Sequence, residues 1–483
     1  MAANEPEEFL VADASNPEYQ EFRKQTDLRE PYRLPREILK GIKPKDVYDV
    51  SESPLIAFIN PRSGGRAGPE LVKKLFLALG HAQVYDLGDK KLHPHKVLEL
   101  LWKNVDELAK RNDPRAGYIK PRLKIAACGG DGTVAWVMKA VQELNLSPPP
   151  AVSIIPLGTG NDLSRTFKWG RTFKPKYIKN TQAVYKHLKE MADGYLRDLD
   201  CWQLQVTAPD QSYFAEVPGH MLAETSNPNV RSGLSWNYFS IGMDAKSAYG
   251  FHHLRDSRPW LASGRMINQV LYAYKSCTSG WFFPSAKFSP PLRDTLSLSV
   301  LPTKSDDWVN TKIPPNVKAL VMINLQSYGG GRNLWGGKLS AHDKDRGMHD
   351  PAFDDGEFEV IGLKSGWHTA LVMAGVLHGV RIAQCRGARL ELKARQQTPD
   401  GNPETVYMQL DGEPWKQFIP SKKEEAPLTV EMMFKSKSLL IMNKRKMKQS
   451  DYPPDRSKAP EALKDTRPIG SQEVELVVPA AQS

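Results

Sequence analysis

An apolar run, Leu123-Lys124-Ile125-Ala126-Ala127-Cys128, feeds directly into Gly129-Gly130-Asp131-Gly132-Thr133, and a helical pattern follows. No other stretch constrains the fold as much, because a buried strand, a glycine turn and a helix in that order belong to a parallel α/β sheet. Glycines let backbone N–H groups approach an anion closely, and a helix start adds positive dipole character. The turn therefore suits a polyphosphate. A carboxylate at its apex repels phosphate unless a cation lies between them, so Asp131 points to Mg²⁺.

The same pattern recurs on both sides. Leu55-Ile56-Ala57-Phe58-Ile59 reads as a buried strand that ends in Asn60-Pro61-Arg62-Ser63-Gly64-Gly65-Arg66-Ala67-Gly68, with a helix after it. Ala151-Val152-Ser153-Ile154-Ile155 runs into Pro156-Leu157-Gly158-Thr159-Gly160-Asn161-Asp162. Helices are expected over 94–111 and 134–144. Alternating strands and helices imply a parallel sheet covered on both faces, and such sheets bind ligands beyond the carboxyl ends of their strands. All three glycine loops fall there. From about Leu199 the texture changes to short runs of strand character at 201–206, 237–241, 296–300, 319–323, 358–361, 406–410 and 428–430. They predict a β-rich second domain, interrupted by a helical insertion over 263–274. Residues 1–50 read as an extended arm and 434–483 as a basic, disordered tail.

Over 483 residues the net charge is +11, which calls for an anionic partner without choosing between nucleotide, phospholipid and nucleic acid. The isolated cysteines Cys128, Cys201, Cys277 and Cys385 exclude zinc fingers and a disulfide scaffold and fit a reducing compartment. The acidic N-terminus lacks the build of a signal peptide, and the longest apolar run, Ala370 to Leu377, is too short to span a bilayer. A cytoplasmic protein that touches membranes from the side is expected. No G-x-x-x-x-G-K-[ST] follows the first strand, so this is not a P-loop enzyme.

Asn-Pro-x-Ser-Gly-Gly at 60–65, Gly-Gly-Asp-Gly-Thr at 129–133 and Pro-Leu-Gly-Thr-Gly-Asn-Asp at 156–162 stand in the order that resembles the diacylglycerol kinases. Asn237-Tyr238-Phe239-Ser240-Ile241-Gly242-Met243-Asp244-Ala245, Asp354-Asp355-Gly356 and Asp411-Gly412-Glu413-Pro414-Trp415 extend the resemblance over 54–433. It implies ATP-dependent phosphorylation of the free hydroxyl of diacylglycerol to phosphatidic acid. It also implies an α/β nucleotide-binding lobe related to NAD kinase (51–200) and a β-sandwich-like accessory lobe (201–433). With neither zinc domains nor EF-hands, the chain looks like the short plant type. Relatives acting on sphingosine, ceramide or NAD, and an inactive lipid-binding scaffold, are the rival readings.

Phosphoryl transfer needs charge neutralisation and positioning more than covalent chemistry. Asn60, Ser63, Gly64, Gly129, Gly130, Gly132, Thr133, Gly158 and Thr159 are assigned to the ATP phosphates and nearby contacts, and Asp131 to Mg²⁺. The resemblance places Glu413 at the position of the family's general base, although Asp-Gly-Glu also reads as a plain hairpin turn. It likewise offers Asp354 and Asp355 to a second, structural Mg²⁺, against the alternative of an Asp-Asp-Gly turn. Asn161 and Asp162 are expected to cap the helix after them, and His93 and His95 to lie in a solvated turn. The stretch 168–177 interleaves aromatics with cations, which suits a membrane interface, single-stranded nucleic acid or a plain loop. The basic apolar segment 435–448 is of a sort that calmodulin or anionic lipid binds.

Overall fold

A computed structural model describes residues 52–63, 67–257, 292–393, 404–420 and 425–448, with 32, 34 and 451. Gly64, the expected insertion at 263–274 and nearly all of the 1–50 arm lie outside them. Residues cluster into two units, Met1–Lys444 and Arg445–Ser483. The second is described by a few residues, among which Lys448 N donates to the Asp451 carboxylate at 2.6 Å.

Among the described residues the first lobe contains β1 (Leu55–Ile59), α1 (Ala67–Leu79), β2 (Val84–Asp86), α2 (Pro94–Lys110), α3 (Arg115–Arg122), β3 (Lys124–Gly129), α4 (Asp131–Glu143), β4 (Ala151–Pro156), α5 (Asp162–Thr166) and α6 (Thr181–Ala192). Strands β2, β1, β3 and β4 lie side by side in that order, all parallel. Every residue of β1 and β4 is buried, as expected of strands covered on both faces, which accounts for their unbroken apolar runs. Two buried residues of the arm close this lobe: Leu34 N donates to Gln83 Oε1, and Gln83 Nε2 to the Tyr32 carbonyl.

The second lobe comprises β5 (Tyr195–Thr207), β6 (Leu222–Ala223), β7 (Val230–Ser235), β8 (Tyr238–Gly242), α7 (Met243–Ser257), β9 (Leu296–Leu301), β10 (Val309–Thr311), β11 (Ala319–Ile323), α8 (Ala341–Asp345), β12 (Phe358–Leu363), α9 (Gly366–Met373), β13 (Val380–Cys385), β14 (Gly387–Leu392), β15 (Thr405–Leu410), β16 (Glu413–Phe418) and β17 (Leu428–Met442). A sheet in the order β13-β12-β11-β8-β15-β16 packs on one that includes β9, β14, β17 and β5. Their inner faces share a single core, with Trp202 edge-on to Phe358 at 4.7 Å between ring centroids. The expected β-sandwich is present. All seven expected strands are found, and β6, β7, β10, β13, β14 and β16 add to them.

Strands β5 and β17 form a long antiparallel ribbon, from Thr207↔Thr429 to Tyr195↔Met442. Its far end enters the first lobe, where Leu440 pairs with Val152 of β4. One sheet thus runs through both lobes.

This corrects the reading of 434 as the start of a tail. In residues 434–442, Lys435 and Lys437 alternate with Ser436 and Ser438, and the Leu440, Ile441 and Met442 that follow are buried in the first lobe. The apolar part of the segment offered to calmodulin or lipid is therefore core. In the stretch 168–177 only Trp169 is buried among the described side chains, its indole N–H donating to the Ile441 carbonyl at 2.6 Å. Arg171, Thr172, Lys174, Pro175 and Lys176 are exposed, as the plain-loop alternative expects. His93 immediately precedes α2, with its ring 4.6 Å from that of Trp136.

Candidate active site

Chain order in the parallel sheet reverses between β1 and β3: from β1 the chain moves outward to β2, and from β3 in the opposite direction to β4. The crevice beyond the carboxyl ends of such a pair is where open α/β sheets bind ligands. Asn60 follows β1 there, its N–H donating to the Cys128 carbonyl of β3 at 2.9 Å. Its Oδ1 accepts from Arg62 N, and its carbonyl from Ser63 N, which folds the first loop into a turn. Gly68 permits this turn, since a Cβ there would stand 2.4 Å from the Pro61 carbonyl oxygen.

The second and third loops are pressed together. Leu157 N donates to the Gly129 carbonyl at 2.8 Å, and a Cβ on Gly158 would come within 2.5 Å of the Gly130 Cα. A Cβ on Gly129 would strike the buried Thr133 side chain. Gly132 faces open space and Thr159 is exposed. The helix after the second loop begins at Asp131 rather than at 134, with Gly130 as its extended N-cap and Val134 N donating to the Gly130 carbonyl. Asp131, Gly132 and Thr133 are therefore its first turn.

Asp131 does a job that sequence patterning assigned to others. Its Oδ2 accepts from Asp162 N at 2.9 Å and its Oδ1 from Leu163 N at 3.2 Å. Asn161 holds the cap position of α5 in a left-handed conformation (φ 55°), but its side chain caps nothing there. Instead its Nδ2 donates to the carbonyls of Gly158 and Arg171, bracing the third loop. The capping role expected of Asn161 and Asp162 thus belongs to Asp131.

Asp162, buried, reaches into the second lobe. Its Oδ1 accepts from Ser327 Oγ at 2.5 Å, and both carboxylate oxygens lie 3.0 Å from Gly330 N. The Gly329-Gly330-Gly331 turn, closed by paired backbone bonds between Tyr328 and Arg332, has positive φ at all three glycines. Patterning missed this loop, although a glycine triplet soon after the apolar strand at 319–323 was its signal. Tyr238, its ring tilted against that of Tyr328 at 4.7 Å between centroids, was expected only as part of a motif. Burial and the charges of Asp244, Asp162, Asp411 and Asp131 push its hydroxyl well above the usual tyrosine range.

The Asp411-Gly412 turn joins β15 to β16 with positive φ at both residues, a hairpin geometry that asparagine, aspartate and glycine tolerate. Asp411 turns inward and accepts from Ser235 Oγ and from the backbone N–H groups of Trp236, Asn237 and Tyr238. Enclosure raises its pKa above the ordinary carboxylate value. Glu413, two residues on, is exposed. Burial, then the charges of Asp162 and Asp411, raise Asp131 to about 7. Carboxylates of both lobes therefore share one field.

Asp354 and Asp355 form a second acidic group with divided roles. The Asp354 carboxylate pairs with Arg197 Nη2 at 2.7 Å. Asp355, raised to about 6 by burial, lies beside His349 and Glu357, with ligand-type atoms of the three within 4.8 Å of one another. Fully buried Asp200 accepts from Gly356 N at 2.6 Å, with Lys437 Nζ 3.7 Å from its other oxygen. Burial raises it to about 7.

The first cluster fits Mg²⁺ in its donor chemistry. It offers hard oxygen ligands, and the buried Asn161 Oδ1 and Asn237 Oδ1 beside it accept no hydrogen bond among the described residues.

Two family models match the chain, the diacylglycerol kinase catalytic domain over residues 54–196 and the diacylglycerol kinase accessory domain over 235–414. Diacylglycerol kinase 4 of Arabidopsis thaliana is 39% identical over 76% of this chain and 77% of its own length. Diacylglycerol kinase 7 of the same plant is 37% identical over 76% and 77%, and diacylglycerol kinase 1 of Oryza sativa subsp. japonica 34% over 78% and 77%. A solved structure described as a putative diacylglycerol kinase from Bacillus anthracis str. Sterne aligns at 15% identity over 81% of this chain and 98% of that one, with a TM-score of 0.41. With both domains in order and this identity over most of its length, the chain belongs to the diacylglycerol kinase family.

Proposed function

We propose that the chain carries out its family's reaction, transfer of the γ-phosphoryl group of ATP to the free hydroxyl of diacylglycerol, in the crevice between its two lobes. The observation that carries this reading is the meeting of the paired Gly130–Gly158 loops with carboxylates from both lobes, Asp131, Asp162 and Asp411, in one field.

The three glycine loops hold the nucleotide. Backbone amides at the α4 N-terminus face the phosphates, the Asn60–Ser63 turn borders them, and the open space at Gly132 leaves room for them. Thr133 and Gly129 fix the loop's shape, while Gly158 and Thr159 border the nucleotide from the third loop. Asp131 and the oxygens around it would hold Mg²⁺, which supplies neutralisation of the charge that spreads over the transferred group. Held by two backbone N–H groups, Asp131 keeps a fixed orientation toward it. Glu413, exposed on a tight turn fastened by Asp411, accepts the proton of the attacking hydroxyl as general base. The arginine pairing of Asp354 leaves Asp355, His349 and Glu357 as the set that would take a second, structural cation.

Diacylglycerol resides in bilayers, and among the described residues no helix is long and apolar enough to cross one. The enzyme works from the aqueous side, where a net charge of +11 favours anionic lipid. The test is an assay with γ-labelled ATP that offers diacylglycerol, sphingosine and NAD side by side. Label is expected in phosphatidic acid, and preferential labelling of either rival would overturn the reading.

A further inference from the structure

Helix α9 and the turn after it do not look like an ordinary solvated surface. Gly366-Trp367-His368-Thr369-Ala370-Leu371-Val372-Met373 contains no Lys, Arg, Asp or Glu, and only Gly366 and Val372 of it are buried. Trp367 is 58% exposed, Leu371 43%, Val376 68% and Leu377 45%. Trp367, Leu371 and Ala374 recur at helical spacing, so they line one face, and Val376 and Leu377 continue it. A contiguous apolar surface of this kind marks an interaction site.

We propose that this surface is where the enzyme docks on a diacylglycerol-bearing, anionic bilayer, with Trp367, Leu371, Val376 and Leu377 inserted among the lipids. The proposal rests on the reading of the chain as a kinase of a membrane lipid.

Two observations select a lipid surface as the occupant. The first is charge. Residues 360–390 contain no Asp or Glu, while exposed Lys364 precedes the helix and the Arg332 guanidinium reaches its end, Nε donating to the Met373 carbonyl at 2.7 Å. Cations at the margin of an apolar face complement anionic headgroups.

The second is position. The glycine turn that binds Asp162 through Gly330 N is the same one that meets α9 through Arg332. A Cβ on Gly329 would stand 3.3 Å from the Met373 Cε. One short loop thus connects the carboxylates of the crevice to the apolar face, which sets the docked surface beside the place where the lipid hydroxyl must arrive.

The test uses the full chain, vesicles of phosphatidylcholine, phosphatidylserine and dioleoylglycerol, and two variants. In one, Trp367, Leu371, Val376 and Leu377 are all replaced by serine. In the other, only the exposed turn is changed, by Val376→Asp with Leu377→Asp, where a folding defect is not expected. Both variants are expected to lose vesicle binding by sedimentation, by at least about tenfold in partition coefficient. Their kcat/KM on vesicle-borne substrate should fall by a similar factor, while that on monomeric dihexanoylglycerol stays within about twofold of the parent.

Vesicle binding equal to the parent's in the turn variant overturns the proposal, as does an equal loss on both substrates. A parent dimer that the turn variant dissociates, with vesicle binding unchanged, would assign the face to self-association and overturn it too. If the parent chain phosphorylates diacylglycerol in neither form, the kinase reading fails instead, and vesicle sedimentation of parent and variant still decides the docking surface.

Discussion

The carboxylate of Asp131 is hydrogen-bonded to the backbone N–H of Asp162, and the carboxylate of Asp162 to Gly330 N of the other lobe. A relay of two aspartates therefore joins the acid of the second glycine loop, through the third loop, to a glycine turn more than 160 residues downstream. Each member both receives orientation and passes it on, so removing one disturbs position as well as charge.

Asp131 separates these two effects. Asp131→Asn keeps an oxygen that accepts one of the two N–H groups, whereas Asp131→Ala orphans both. Urea unfolding is expected to show a loss of about 1–2 kcal/mol for alanine and less than that for asparagine. Phosphatidate formation should fall at least about hundredfold in both, because neither carries the charge. Near-parental turnover by Asp131→Asn would reduce the residue to a helix cap.

The glycines divide by what surrounds them. Gly158→Ala forces a Cβ against the Gly130 backbone, so both loops must move, and stability and activity should fall together. Gly132→Ala meets nothing within 4 Å and adds helix propensity in the first turn of α4, so its melting temperature should hold or rise slightly. If the nucleotide occupies that space, Gly132→Ala raises KM for ATP without unfolding the protein. Unchanged ATP kinetics would place the phosphates elsewhere.

Ser327 tests the bridge between lobes. Ser327→Ala removes one donor to the buried Asp162 carboxylate and is expected to cost about 1.5–3 kcal/mol in urea unfolding. Because Asp162 N in turn orients Asp131, kcat should fall more than KM for ATP rises. Wild-type kcat in this variant would show that Gly330 alone holds Asp162 in place.

Much of this site was readable from the chain, for a physical reason. Strands buried on both faces must be apolar throughout, and phosphate loops need glycine where backbones approach, so 55–59, 123–133 and 151–162 declare themselves locally. What escaped depends on distance. Nothing near Asp131 says that its oxygens will cap a helix 31 residues away, and the partners of Asp162 lie 165 and 168 residues on. Strand β17 was hidden differently, since Lys435 and Lys437 stand on a face whose alternation with Ser436 and Ser438 carries little apolar signal before Leu439. Only pairing with β5 makes that stretch a strand.

Asp200 gives the protein a pH dependence of definite sign. Its carboxyl rises from 3.8 to about 7, chiefly through burial, so the folded state holds a proton that the unfolded chain has already released across that range. Stability therefore falls as pH rises from about 4 to about 7, by on the order of 4 kcal/mol at most. Asp131 and Asp355 are raised in the same direction and share the slope. Asp200→Asn should remove part of it, so urea midpoints of parent and variant converge or cross between pH 5 and 8. Parallel curves would show that Asp200 stays ionised beside Lys437.

Asp411 and Glu413 stand two residues apart and are expected to fail in opposite ways. Asp411 accepts four hydrogen bonds, from Ser235, Trp236, Asn237 and Tyr238, and thereby ties the β15–β16 turn to the start of β8. Asp411→Asn loses the charge that strengthens these bonds and brings amide hydrogens toward donors, so a stability loss of about 1.5–3 kcal/mol is expected, with activity falling as the turn loosens. Glu413 is exposed, and Glu413→Gln removes only a proton acceptor. Its melting temperature should match the parent's while kcat drops by about 10²–10⁴ with KM for ATP unchanged. If Glu413→Gln keeps its turnover, the base lies among the enclosed carboxylates, and Asp131 is then the residue to test for it.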